Sequence, residues 1–188
     1  MAGSNEVLLV RHGETDDNAA ARFQGQRDTP LNDRGREQSR ALAHGLREED
    51  LRALYASPLR RASETARIVG ELLGLDAVID GRLMEADAGD WSGRLIADVT
   101  AQAPEEWARW RRADPTFRFP GGESVAEQSA RVGAALADVA NGPLPALVVT
   151  HGGCIRSIGA IDRPPGGSIG NCALYRLPAV IAAPSSRT

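Results

Sequence analysis

The chain contains no lysine; all 22 of its basic residues are arginine. That absence excludes Schiff-base chemistry on a lysine, pyridoxal-phosphate catalysis and a Walker-type phosphate loop, each of which needs the amine. Codon bias explains the missing lysines better than function does, and the exclusion stands either way. Aromatic residues are also scarce, at 4%, so the core has to be built from Leu, Val, Ile and Ala. Two cysteines, Cys154 and Cys172, are too few for a metal knuckle, and nothing points to an oxidising compartment. No segment approaches the ~20 apolar residues of a membrane span. The start, MAGSNEVLLVR, lacks the basic beginning and long apolar stretch of a signal peptide. A cytoplasmic location is the expectation.

Net charge is −3, with acidic and basic residues interspersed. There is no basic face or run for nucleic acid or a membrane surface, so neither is an expected partner. An anionic ligand would have to be held by a local cluster of positive charge. An apolar share of 42% and a charged share of 25% are ordinary for a globular protein. The 188 residues fit one domain, 1–188.

Short apolar runs end abruptly at Val7–Val10 and Ala146–Thr150, and both read as buried strands. Further strands are expected at Leu51–Ala56, Asp76–Ile79 and Ala173–Leu177. Helical patterns lie between them. Residues 33–47 place Leu42 and Leu46 four apart. A helix opening at Ser57-Pro58, with Ser57 as N-cap, carries Ala62, Ala66, Val69 and Leu73. Residues 95–112 are weakly helical. Ser124 and Glu127 form a capping-box pattern ahead of a helix with Val125, Val132, Leu136 and Val139 on one face. Alternating strands and helices predict a three-layer α/β/α fold around a mostly parallel sheet. Ligands in such sheets bind beyond the carboxyl ends of the strands. The long loop from Arg11 to Asn32 is of a length usually reserved for function.

Two of the three histidines occupy the same context: Val-Leu-Leu-Val-Arg11-His12-Gly13 and Leu-Val-Val-Thr150-His151-Gly152. A single histidine after a strand is most simply a packing or capping residue. Two, on strands that pair in parallel, would meet at one rim. His44 lies on a polar helix and reads as a surface residue. Arg60 and Arg61 stand in the first turn of a helix, where a cation costs roughly 0.3–1 kcal/mol against the helix dipole. An anion seated between arginine and helix end would explain that placement, with one of the pair pointing inward. Arg11, one of Arg60 or Arg61, His12 and His151 together outline a phosphoryl pocket, because guanidinium forks match phosphate oxygens. A carboxylic acid is then needed to protonate a leaving oxygen. Spacing alone does not choose among Glu85, Asp87 and Asp90.

These residues resemble the histidine phosphatase superfamily, which includes phosphoglycerate mutases and related small phosphatases. The resemblance spans nearly the whole chain. It rests on Arg11-His12-Gly13-Glu14-Thr15 with Asn18, Arg22, Gln24-Gly25, Asp28, Pro30 and Leu31. Ser57-Pro58-Leu59 with Arg61-Ala62 and Thr65-Ala66 continues it, as do Leu83 and Glu85 with Gly89, Trp91 and Gly93. Pro120-Gly121-Gly122-Glu123-Ser124 and His151-Gly152-Gly153 complete it. The resemblance implies a phosphoglycerate mutase-like fold and a metal- and cofactor-independent phosphatase for a small phosphorylated metabolite. It selects Arg61 over Arg60 and Glu85 as the acid. It implies that His12 attacks phosphorus, with Arg11, Arg61 and His151 binding the transferring group. Asn18, Gln24, Gly25 and Gly152 complete the implied phosphate site.

Two departures stand out. Asp17 occupies a position where an aromatic is common, which bears on the pocket wall. The stretch from Arg156 to Asn171 is short and rich in Gly and Pro, which bears on the pocket mouth or a subunit contact. A phosphoglycerate mutase would use the same groups but needs a larger insertion than the short cap segment at about 94–119. A catalytically silent binding module need not retain His12, Arg61, Glu85 and His151 together. Trp107 and Trp110, three apart, read first as one packed helix face and second as a pocket wall. Arg109, Arg111 and Arg112 read first as a solvated face and second as contacts to another anionic group. Composition says nothing of the oligomeric state.

Overall fold

A computed structural model of the chain describes residues 5–159 and 168–178. The chain runs through β1 (Glu6–Arg11), α1 (Asp16–Ala19), α2 (Asp33–Gly45), β2 (Ala53–Ala56), α3 (Arg60–Leu73) and β3 (Ala77–Ile79). It continues through α4 (Ile96–Gln102), α5 (Pro104–Arg111), α6 (Val125–Ala140), β4 (Ala146–Thr150), α7 (Gly152–Ser157) and β5 (Leu174–Pro178). The sheet order is β3-β2-β4-β1-β5. β1, β2, β3 and β4 pair in parallel, while β5 runs antiparallel along the edge of β1. This is the expected three-layer arrangement around a mostly parallel sheet.

Strand alternation sorts the core into two layers. From β1, Val7 and Leu9 pack against Val132, Leu136 and Val139 of α6 and Ile155 of α7. Leu8 and Val10 face Ala43 of α2 and Ala62, Ala66 and Val69 of α3. Every residue of β4 is buried, as befits a strand covered on both sides. The sheet core does rest on aliphatic residues. The scarce aromatics are gathered elsewhere. All three Phe and all three Trp form a separate cluster in which Phe23, Trp91, Phe117 and Phe119 are buried and Trp107 and Trp110 pack against them. This cluster joins α5 to the loops around residues 23 and 91.

Local chemistry moves several expected boundaries. α3 begins at Arg60, not at Ser57, and Leu59 is its extended N-cap residue. Ser57 is no cap for it: the hydroxyl accepts from the Leu59 N–H and meets the ring of His151. The anion at this helix end is a side chain, because Asp28 Oδ1 accepts from the Arg60 N–H at 2.7 Å. The weak helix at 95–112 is two helices. Pro104 opens α5 and drives Ala103 out of helical geometry, to φ −137° and ψ 58°. Inside the loop at 11–32 sits α1, closed by a capping box between Thr15 and Asn18. The capping box at Ser124 and Glu127 is present as expected. Part of the Gly- and Pro-rich stretch, 160–167, lies outside the described residues.

One close approach seats the loop that follows β1. A Cβ on Gly13 would stand 2.5 Å from the Gly35 carbonyl oxygen, and one on Gly35 would stand 2.1 Å from that of Glu14. The first turn of α2 therefore lies directly against the backbone next to His12. Gly133, in the middle of α6, has open space where its Cβ would be. Gly35→Ala is expected to lower the unfolding free energy by about 1–3 kcal/mol through overpacking. Gly133→Ala should raise it by about 0.5–1 kcal/mol through helix propensity. Urea denaturation of both variants checks the contrast in sign.

Candidate active site

The parallel register pairs Arg11 with Thr150, so the next residues, His12 and His151, leave adjacent strands side by side. The His12 N–H donates to the Thr150 carbonyl at 3.0 Å. The two rings lie 5.2 Å apart between centroids, tilted by 58°, and both are buried. His44, by contrast, is exposed on α2.

Partner chemistry defines the protonation of His12. Its Nδ1 lies 2.7 Å from the Gly13 carbonyl oxygen, an acceptor only. Its Nε2 lies 3.2 Å from Arg61 Nε, a donor only. The proton therefore sits on Nδ1, and Nε2 keeps its lone pair. Burial, the Arg61 charge and the Arg11 charge all hold this imidazole well below the usual histidine pKa. His151 is pushed the same way, by burial first and then by Arg61, His12 and Arg11. His151 Nε2 meets the Ser57 hydroxyl at 2.8 Å, while its buried Nδ1 has no protein partner among the described residues.

The two inward arginines are held by neutral groups. Arg61 is 1% exposed and donates from Nη1 and Nη2 to the carbonyls of Arg27 and Gly25, at 2.6 and 2.8 Å. Burial lowers its pKa to about 10. Arg60 is exposed, as the pairing of one inward and one outward arginine requires. Arg11 donates to the Ile169 carbonyl, its Nε has no protein partner among the described residues, and burial lowers its pKa. Gly25 reaches Arg61 with φ at +53°, and a Cβ there would meet Ala88 and Ser92 at 2.9 Å.

Glu85 faces the same cavity. Its carboxylate accepts from the Ala86 N–H, the Gln128 amide and the Gly153 N–H, each at 2.9 Å. A Cβ on Gly153 would collide with Glu85 Oε1 at 2.2 Å, which is why the second glycine after His151 matters. Asp87 accepts instead from the Gly89 N–H within its own loop.

The cavity, of about 210 Å³, is lined by Arg11, His12, Asn18, Gln24, Gly25, Arg61, Glu85 and Gly152, all expected from the sequence. His151 lies directly behind, against His12. Asn18 Oδ1 accepts from Asn171, whose amide also donates to the His12 carbonyl. Gln24 is fixed by the Thr15 hydroxyl. Asp17 does not line the cavity; its carboxylate accepts from Thr29 and pairs with Arg27. Trp107 and Trp110 do both things at once, packing in the aromatic cluster and walling the cavity. Arg111 lines it too, whereas Arg109 is tied to Asp114 and Thr116.

Several lining or supporting residues have no role assigned by the sequence: Arg22, Phe23, Arg156, Gln128 and Asn171. Of these only Arg22 carries a signal, through its place in the first motif. Arg156 stands over Trp110, its guanidinium carbon 4.3 Å from the ring centroid. Among the described residues, no group of three or more His, Cys, Asp or Glu side chains is placed to hold a metal ion, and no helix is long and apolar enough to cross a membrane.

Residues 7–177 match the histidine phosphatase superfamily (branch 1). Phosphoserine phosphatase 1 of Hydrogenobacter thermophilus is 38% identical over 134 residues, covering 71% of this chain and 64% of that protein. A probable phosphoglycerate mutase GpmB of an Enterobacter species is 41% identical over 162 residues, 81% of this chain and 73% of the other. The mycobacterial glucosyl-3-phosphoglycerate phosphatase solved with VO3 superposes with a TM-score of 0.80 at 34% identity, covering 91% of each chain.

The depressed imidazoles carry a stability consequence with a defined sign. Below the unfolded histidine value of about 6.5 the unfolded chain takes up protons that native His12 and His151 refuse. Stability from this source is therefore complete above that pH and lost as pH falls. The slope approaches about 1.4 kcal/mol per pH unit for each ring. Urea denaturation at pH 7.5 and 5.5 should show the decline, and His12→Gln should flatten it. Equal stability of the native chain at both pH values would contradict the assignment.

Proposed function

The chain belongs to the histidine phosphatase superfamily, and from that premise we propose that it hydrolyses a small phosphomonoester through a phosphohistidine on His12. The observation that carries this reading is the unprotonated His12 Nε2, which accepts from Arg61 Nε–H, with Nδ1–H fixed on the Gly13 carbonyl and Arg11, Arg61 and Glu85 around the same cavity. Nε2 attacks phosphorus, the bond from phosphorus to the ester oxygen breaks, and Glu85 gives that oxygen a proton. Water then attacks the phosphorus, Glu85 takes a proton back, the P–N bond breaks, and inorganic phosphate leaves. Arg11, Arg61 and His151 hold the transferring oxygens throughout. Their charge and hydrogen bonds stabilise a transition state that needs little else. Asn18, Gln24, Gly25 and Gly152 shape the phosphate end, and the segment at 94–119 forms the cap.

Charge around the cavity supports a substrate with a second anionic group. Arg36 pairs with Glu64, and Arg131 with Glu123. Arg22 and Arg111, which line the cavity, instead meet the Gly93 carbonyl and the Trp107 ring. With Arg11 and Arg61 assigned to the phosphate, Arg22 and Arg111 are left for a carboxylate on the substrate body. The names of two relatives fit, since phosphoserine and glucosyl-3-phosphoglycerate each join a phosphate ester to a carboxylate.

The mutase name of another relative makes phosphoryl return the competing reading. A mutase must shield phosphohistidine from water, and the two short helices α4 and α5 offer little for that purpose. Incubation with a phosphoglycerate and a bisphosphoglycerate primer separates the two: phosphate release is expected, and fast isomerisation without release would reverse the choice. Turnover of a metabolite library should leave acid-labile phosphate on the wild-type chain and none on His12→Ala. Arg111→Gln should weaken kcat/KM by about 10–100-fold for 3-phosphoglycerate, the loss of one or two charged hydrogen bonds, and much less for glycerol 1-phosphate. A uniform loss on both esters would count against the carboxylate site.

A further inference from the structure

The Pro120–Ser124 motif and the face of α6 that follows it lie outside the phosphate site, yet their polar groups converge on the loop that carries Glu85. Gln128 is 1% exposed, and its amide donates to Glu85 Oε1 at 2.9 Å and to the buried Cys154 sulfur at 3.5 Å. One turn on, Arg131 donates from Nη1 to the carbonyls of Arg82 and Met84, at 2.7 and 2.6 Å, and from Nη2 to that of Glu85 at 3.1 Å. Three apart on a helix, the two side chains share one face. Glu123 in turn grips Arg131 through both carboxylate oxygens, at 2.6 and 2.8 Å. The motif's backbone closes the frame: the Glu123 N–H donates to the Asp87 carbonyl, and the Asp90 N–H donates to that of Pro120. A Cβ on Gly122 would strike the Asp87 carbonyl at 2.3 Å.

A proton donor is useful only where its oxygen meets the leaving group, and a displacement of about 1 Å costs on the order of a hundredfold in rate. Short carboxylates on loops have several rotamers and a mobile backbone to control. Here backbone and carboxylate are gripped separately, by two side chains of one rigid helix. We infer that Gln128 and Arg131 are positioning residues for Glu85, Gln128 aiming the carboxylate and Arg131, braced by Glu123, fixing its backbone. The inference rests on the reading of Glu85 as the proton donor given above. It also assigns a task to the Pro120–Ser124 motif, which is to brace the acid loop and not to touch phosphate.

Leaving-group dependence tests it, because mispositioning a proton donor harms only esters whose oxygen needs the proton. The probes are phenyl phosphate and 4-nitrophenyl phosphate, of similar shape but with poor and good leaving groups. kcat/KM is the readout, since it reports transfer to His12 and not the later attack of water. In Gln128→Met, kcat/KM for phenyl phosphate should fall by about tenfold or more, with a much smaller fall for 4-nitrophenyl phosphate. Glu123→Gln, an isosteric change at a partly exposed position, should show the same selectivity at smaller amplitude, and it keeps the test open if Gln128→Met does not fold. Equal losses on both esters, or no loss on phenyl phosphate, in a cooperatively folding variant would overturn the inference. A wild-type chain inert toward both esters would instead remove the proposed hydrolase function on which the inference stands.

Discussion

Neutral imidazole beside fixed positive charge is the constraint that organises this molecule. Under the proposed reading, His12 acts as a nucleophile only while Nε2 carries no proton, and guanidinium groups must be close enough to neutralise phosphate oxygens. The two demands are met by the same arrangement. Arg61 points Nε–H at His12 Nε2, which bars a proton from that nitrogen, and burial of both rings penalises the imidazolium further. Parallel pairing of β1 with β4 then supplies the geometry, since two strands ending in register deliver both rings to one rim.

Such a pocket works against the stability of the fold. Buried guanidiniums without carboxylate partners are costly, and the depressed pKa of Arg61, about 10, records that cost. Neutral acceptors offset part of it: the carbonyls of Gly25, Arg27 and Ile169 hold the arginines without cancelling their charge. A carboxylate in their place would stabilise the fold and compete with phosphate. Carbonyls orient the cations and leave their charge for a ligand. The aliphatic layers on both faces of the sheet supply the stability that this site consumes.

The aromatic cluster shows a second division of labour. Phe23 belongs to the loop after His12, Trp91 to the loop after Glu85, and Trp107 and Trp110 to α5. Their mutual packing ties three separate segments together, and Phe23, Trp107 and Trp110 of the cluster wall the cavity. Composition shows only that aromatics are few. That all three Phe and all three Trp gather in one place is a property of the folded chain.

Much of the fold is legible in the sequence because it follows from local rules. Apolar runs of four or five residues mark β1 and β4, helical spacing marks α2, α3 and α6, and a capping box locates the start of α6. The twin His-Gly strand ends point to a shared rim from the sequence alone. Local rules mislead where a side chain has a distant partner: Ser57 looks like a cap because its true contact, His151, lies 94 residues away. The helix end that invites an anion already has one, from Asp28. Gln128 and Asn171 carry no sequence signal, since an amide on a helix or in a turn acquires meaning only from what it faces. By itself, then, the sequence determined the chemistry available: two histidines at strand ends, arginine as the sole cation, a set of acidic loop residues, and strands and helices to bear them. Folding alone reveals which nitrogen of His12 is unprotonated, which carbonyls hold the inward Arg61 and which groups hold Glu85. Those depend on distances between segments far apart in the chain, which no local pattern encodes.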